Sequence, residues 1–79
     1  MVKPKDIVMQ FGERVRSLRK AKLLSQEQLA DLASLDRTYI SGIERGRRNV
    51  SLRNVEAVAR ALDVSLSEFF SGIDQEANN

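Results

Sequence analysis

Apolar positions along this chain recur with a helical period. Ile7, Phe11, Val15 and Leu18 follow one another at three or four residues, which predicts an amphipathic helix over about 7–21 with Asp6 as its N-cap. Beyond it, one short device appears four times: an apolar residue, then Ser or Asp, then a second apolar residue one turn into the following segment. The instances are Leu24-Ser25 with Leu29, Leu35-Asp36 with Ile40, Val50-Ser51 with Val55, and Val64-Ser65 with Phe69. This is the pattern of a hydrophobic staple around an N-cap. Ser25 with Gln28 and Ser65 with Glu68 also have capping-box spacing. The spacing therefore predicts helices over about 7–21, 26–33, 37–45, 52–62 and 66–71, with Gly46 and Gly72 placed to end the third and fifth. The β-branched residues are scattered and alternation is never sustained, so no strand is expected. The fold class is all-α: a compact five-helix single domain over 1–79, with residues 1–5 and 74–79 as flexible ends.

Between Ala33 and Asp36 the chain has to stop one helix, turn and cap the next, which matches a helix-turn-helix over about 26–45. On a helical wheel Ile40, Ile43 and Glu44 fall on the side facing the domain. Thr38, Ser41, Gly42 and Arg45 fall opposite, with Arg37 and Tyr39 on the flanks. The outward face is thus rich in hydrogen-bond donors and poor in bulk. Such a face suits a duplex major groove: Arg37 matches the paired acceptors of guanine, Thr38 a base acceptor or a thymine methyl, and Tyr39 and Ser41 bases or phosphates. Gly42 has two readings, a surface position or a gap that lets the helix lie deeper in the groove. Phosphate is the expected partner of Arg45, Arg47, Arg48 and Asn49. The same holds for Gln26 beside the Ser25 cap and for Ser51, since capped helix starts attract anions.

Charge strengthens this picture. The net charge of +2 resolves into blocks of +5 over 1–24, −3 over 25–36, +4 over 37–53 and −4 over 54–79. Five arginines lie between Arg37 and Arg53 with a single acid, Glu44, among them. A concentrated basic face is the footprint expected for a polyanion.

Composition mainly excludes. With 42% apolar and 30% charged residues the chain suits a soluble fold, and its apolar runs indicate neither membrane insertion nor export. It has no cysteine and no histidine, so disulfides, thiolate or imidazole zinc sites and the corresponding nucleophile systems are out, and the cytoplasm is the expected location. Asp31, Glu44 and Asp63 lie on separate segments, and no glycine-rich phosphate loop or nucleophile–base pair is present. Neither an enzyme nor a cofactor or metal site is expected. The rival class is an antitoxin or protein-interaction module built on the same helices.

Three stretches, "RVRSLRKAKLLSQEQLADLA", "YISGIERGRRNVSL" and "ALDVSLSEFF", stand in the order found in lambda-repressor-like, Cro-type (XRE) helix-turn-helix domains, which this chain resembles from Phe11 to Phe70. Within that family "LDRTYISGIERGRRN" is most similar to the controller proteins of restriction-modification systems, with prophage repressors the nearest alternative. The resemblance implies a homodimer reading a pseudo-palindromic operator with its third helix. Arg37, Thr38 and Tyr39 would read bases, while Gln26, Arg48 and Asn49 would hold the backbone. It implies an ion pair between Arg19 and Glu44, which accounts for an acid on the inward side of the wheel. It also implies control of the protein's own promoter, with a second dimer on the operator and RNA polymerase as a further partner. Gly42 departs from the family, where a longer base-contacting side chain is common.

Phe69 and Phe70 are adjacent, so one helix cannot aim both rings into the same core. Phe69 is the staple residue. Phe70, with Leu66 and Ile73, is expected to form an apolar patch that a second copy covers.

Overall fold

The computed structural model describes residues 6–73; the expectations for residues 1–5 and 74–79 lie outside that range. Five helices follow in order: α1 Ile7–Ala21, α2 Gln26–Ala33, α3 Arg37–Glu44, α4 Leu52–Ala61 and α5 Leu66–Ser71. α3 and α4 each end one residue earlier than expected, at positions where Arg45 and Leu62 serve as C-caps. No strand occurs among the described residues, and none of their helices is long and apolar enough to cross a membrane.

The repeated device makes a compact connector. At three of the junctions a residue in the left-handed region, Leu23, Ser34 or Asp63, is followed by an apolar residue whose N–H reaches back to the helix just ended. Leu24 donates to Arg19 O at 3.1 Å, Leu35 to Ala30 O at 2.9 Å and Val64 to Ala59 O at 3.1 Å. Each closes a helix C-terminus in the Schellman manner. The same apolar residue packs against the core as the staple of the next helix, so one residue ends a helix and aims its successor. α3 closes with Gly46 at φ +73°, where glycine avoids the steric penalty of that region.

Asp6, Ser25, Ser51 and Ser65 each accept a backbone N–H into their caps. Asp36 occupies the N-cap of α3 without a side-chain bond, so its expected cap is one of backbone geometry alone. The capping box is complete at Ser25, where Gln28 returns the bond at 2.8 Å. At Ser65 only the forward bond from Glu68 N forms. Gly72 has an ordinary φ of −85°, so α5 does not need its freedom to turn. A Cβ there would lie 2.5 Å from the Arg14 guanidinium carbon. That guanidinium donates to Phe69 O and Glu68 O, both at 2.8 Å, and satisfies carbonyls that the end of so short a helix leaves open.

The core gathers Phe11 and Val15 from α1, Leu29 from α2, Ile40 and Ile43 from α3, Val55 and Val58 from α4, Leu62, and Phe69 from α5. Ile73 joins it at 6% exposure. The expected surface patch therefore loses Ile73, whose side chain turns inward past the end of α5.

Candidate nucleic-acid interface

The position of α3 is set from behind. Ile40 and Ile43 are wholly buried, and the helix is drawn against α1 at Gly12, where a Cβ would lie 2.1 Å from Ile43 O. Any side chain at residue 12 would hold the two helices apart.

Below its last turn sits the Arg19–Glu44 ion pair. Arg19 Nε donates to Glu44 Oε2 at 2.6 Å and Arg19 NH2 to Oε1 at 3.0 Å, while NH1 donates to Leu24 O at 2.8 Å. Both residues are buried. The hydrogen bond to Glu44 raises the Arg19 pKa above its ordinary value; desolvation opposes this, and the carboxylate's charge adds to it. A raised folded-state pKa contributes stability that is fully present below the unfolded value and lost only as pH rises through the folded one. For arginine that window is strongly alkaline, so its charge holds throughout the working range.

Gln26 is half-buried, and its Nε2 donates to Glu44 Oε1 at 3.1 Å. The first residue of α2 is thereby tied to the last of α3. One amide hydrogen remains for an outside acceptor.

The opposite side of α3 is open. Arg37 and Thr38 are exposed in its first turn, Ser41 is half-buried, and Arg45, Arg47, Arg48 and Asn49 are exposed from the helix end onward. Ser51 follows as the exposed cap of α4, accepting from Asn54 N at 3.2 Å. Tyr39 is half-buried, and its hydroxyl accepts from Asn54 Nδ2 at 3.2 Å; the phenol keeps its own hydrogen to donate outward. The Arg48 guanidinium carbon lies 5.6 Å from the centre of the Tyr39 ring, within cation–π range. Thr38, Tyr39, Arg48 and Asn54 line a shallow depression of about 360 Å³ beside the start of α3. Among the described residues no carboxylate pairs with Arg37, Arg45, Arg47, Arg48 or Arg53. The acid of this segment is already taken by Arg19, so the arginines face outward uncompensated. No group of three or more acidic, histidine or cysteine side chains that could hold a metal lies among the described residues.

Gly42 is not the surface position of the first of its two readings. It is buried, beneath the stem of Arg48. The wheel shows only a helix's own residues and is blind to a side chain returning from the next loop.

The family model described as helix-turn-helix matches residues 15–69. The chain is 51% identical over 72 residues to the control protein C.MunI of Mycoplasma sp, covering 90% of this chain and 97% of that one. It is 55% identical to the restriction-modification controller protein C.AhdI from Aeromonas hydrophila, with a TM-score of 0.78 over 81% of this chain and 97% of the other. The chain belongs to the helix-turn-helix family of restriction-modification controller proteins. Another member of that family, C.Esp1396I, solved as a tetramer in complex with its natural 35 base-pair operator, is 35% identical with a TM-score of 0.87, covering 95% of this chain and 99% of that one.

On this controller-protein fold, the second candidate surface lies along α5. Phe70 is 38% exposed and Leu66 43% exposed, whereas Phe69 is wholly buried. The Phe70 ring stands edge-on to Phe69 at 5.2 Å and lies 6.3 Å from Phe11. Ile7, 58% exposed, borders the same apolar groove as Phe70, so α1 contributes a residue that the sequence reading had assigned only to its helix. Asn54, Gly12 and Arg14 were also missed. Gly12 alone carried a signal, since a glycine inside a strongly periodic helix marks close packing.

Proposed function

We propose that this chain is a sequence-specific transcription regulator that binds a palindromic operator as a homodimer and controls a restriction-modification system, including its own promoter. One observation carries the reading: a helix held from behind presents Arg37 and Thr38 outward beside arginines that pair with no carboxylate among the described residues. Arg37, Thr38, Tyr39 and Ser41 read base edges. Gln26, Arg45, Arg47, Arg48, Asn49 and the Ser51 helix start hold phosphates on either side. The operator-bound tetramer of C.Esp1396I supports this use of the fold.

Leu66 and Phe70, joined by Ile7, form the face that meets the second copy. Two-fold pairing then sets the two α3 helices roughly 34 Å apart, one turn of duplex. Two dimers on one operator would switch activation to repression as the protein accumulates, with RNA polymerase the partner recruited by the first. The protein works by binding, without catalysis, in the cytoplasm.

Salt dependence tests the electrostatic part. Affinity for duplex DNA should fall linearly on a logarithmic salt scale, with a slope of roughly −0.9 per phosphate neutralised. A flat profile would contradict a phosphate-clamping site.

A further inference from the structure

Helical glycines usually cost stability, and Gly42 lies in the middle of the helix that carries the reading face. Its surroundings are specific. A Cβ built on Gly42 would have three nearest neighbours, all in one side chain: Arg48 Cγ at 3.0 Å, Nε at 3.4 Å and Cδ at 3.8 Å. Beyond that crossing, the Arg48 guanidinium lies over the Tyr39 ring. Arg48 belongs to the loop after α3, yet its stem runs back across the helix at the position where residue 42 would project.

We infer that Gly42 is a positioning residue for Arg48: its missing side chain is a berth that brings a loop arginine onto the outward face of α3, beside Tyr39. This rests on the DNA-binding reading. Thr38 and Gly42 are one turn apart on the helix, so the berthed arginine continues the row of outward side chains that Thr38 begins. A long, flexible side chain tethered in a loop loses conformational freedom when it binds. Held between Gly42 and the Tyr39 ring, Arg48 meets DNA with part of that freedom already lost. Asn54, by donating to the Tyr39 hydroxyl, steadies the ring that forms the far wall.

Gly42→Leu separates the berth from the alternative, in which glycine lets the helix sink into the groove. Four proteins, wild type, Gly42→Leu, Arg48→Ala and the double variant, are titrated with a random-sequence duplex. Nuclear Overhauser contacts between the Arg48 methylenes and Tyr39 ring protons are recorded without DNA. Tyr39 is the chain's one tyrosine, so its signals are unambiguous. Gly42→Leu should abolish those contacts. It should also weaken binding about tenfold when Arg48 is present, and by less than about twofold when residue 48 is already Ala. Equal weakening in both backgrounds overturns the inference, because the new side chain would then be obstructing DNA itself. Unchanged Arg48–Tyr39 contacts overturn it as well. If wild type binds no duplex, the DNA-binding reading fails separately, and the DNA-free contacts alone decide whether the berth exists.

Discussion

Arg19 and Glu44 meet through two hydrogen bonds, at 2.6 and 3.0 Å, in the buried space between α1 and the last turn of α3. The pair fixes α3 relative to α1, and through Glu44 it also holds Gln26 at the start of α2. Removing either partner leaves a buried, uncompensated charge. Glu44→Ala is expected to lower stability by ~3–5 kcal/mol, read by chemical denaturation. Exchanging both residues for apolar ones should recover much of that loss, since it is the orphaned charge that is costly. A double variant as unstable as the sum of the two singles would show that the residues act independently.

Gly12 and Gly42 are both helical and buried, yet Ala should act oppositely at the two. At Gly12 the new Cβ would meet the Ile43 carbonyl, part of a neighbouring helix backbone that cannot step aside. Gly12→Ala is expected to destabilise by ~1–3 kcal/mol despite the better helix propensity of Ala. At Gly42 the neighbour is the exposed, flexible stem of Arg48, so Gly42→Ala should leave thermal stability unchanged or raised. The two melting curves, measured side by side, check this.

The helix caps differ in a way that the Ser-or-Asp pattern hides. Ser51 accepts the N–H of Asn54, whereas Asp36 accepts none in its cap. Ser51→Ala should cost ~1 kcal/mol and Asp36→Ala clearly less. Denaturation midpoints of the two variants give the comparison, and equal losses would mean that Asp36 caps in solution.

Phe70→Asp should give monomers by light scattering while circular dichroism keeps its helical signal, because Phe69, not Phe70, fills the core. Retention of a dimer would place the interface elsewhere.

The fold was legible because its instructions are local. Cap and staple residues lie within one turn of each helix start, and the expected bounds fall within one residue of the observed ones. The exposure of Arg37, Thr38 and Arg45 was legible for the same reason, as a property of one helix, whereas Gly42, expected on the same face, is buried. What escaped depends on residues far apart in sequence. Arg14 finds the end of α5 more than fifty residues on, Asn54 finds Tyr39, and Arg48 covers Gly42. Ile73, past the end of α5, joins the core, which no periodicity reports. The Arg19–Glu44 pair, equally distant, was anticipated only through family resemblance.

Arg37→Ala and Arg48→Ala separate reading from holding. The first should cost ~1–3 kcal/mol and relax preference at one position of each half-site; the second should weaken all duplexes alike. Competition binding against single-base variants of the preferred site checks both. Identical preference profiles for wild type and Arg37→Ala would remove Arg37 from the reading face.

Selection of bound duplexes from a random pool by the wild-type protein tests sequence-specific dimeric binding most directly. Enrichment of a palindrome whose half-sites lie about one helical turn apart is the expected result. Recovery of unenriched DNA, or of a single half-site without its symmetry mate, would contradict it.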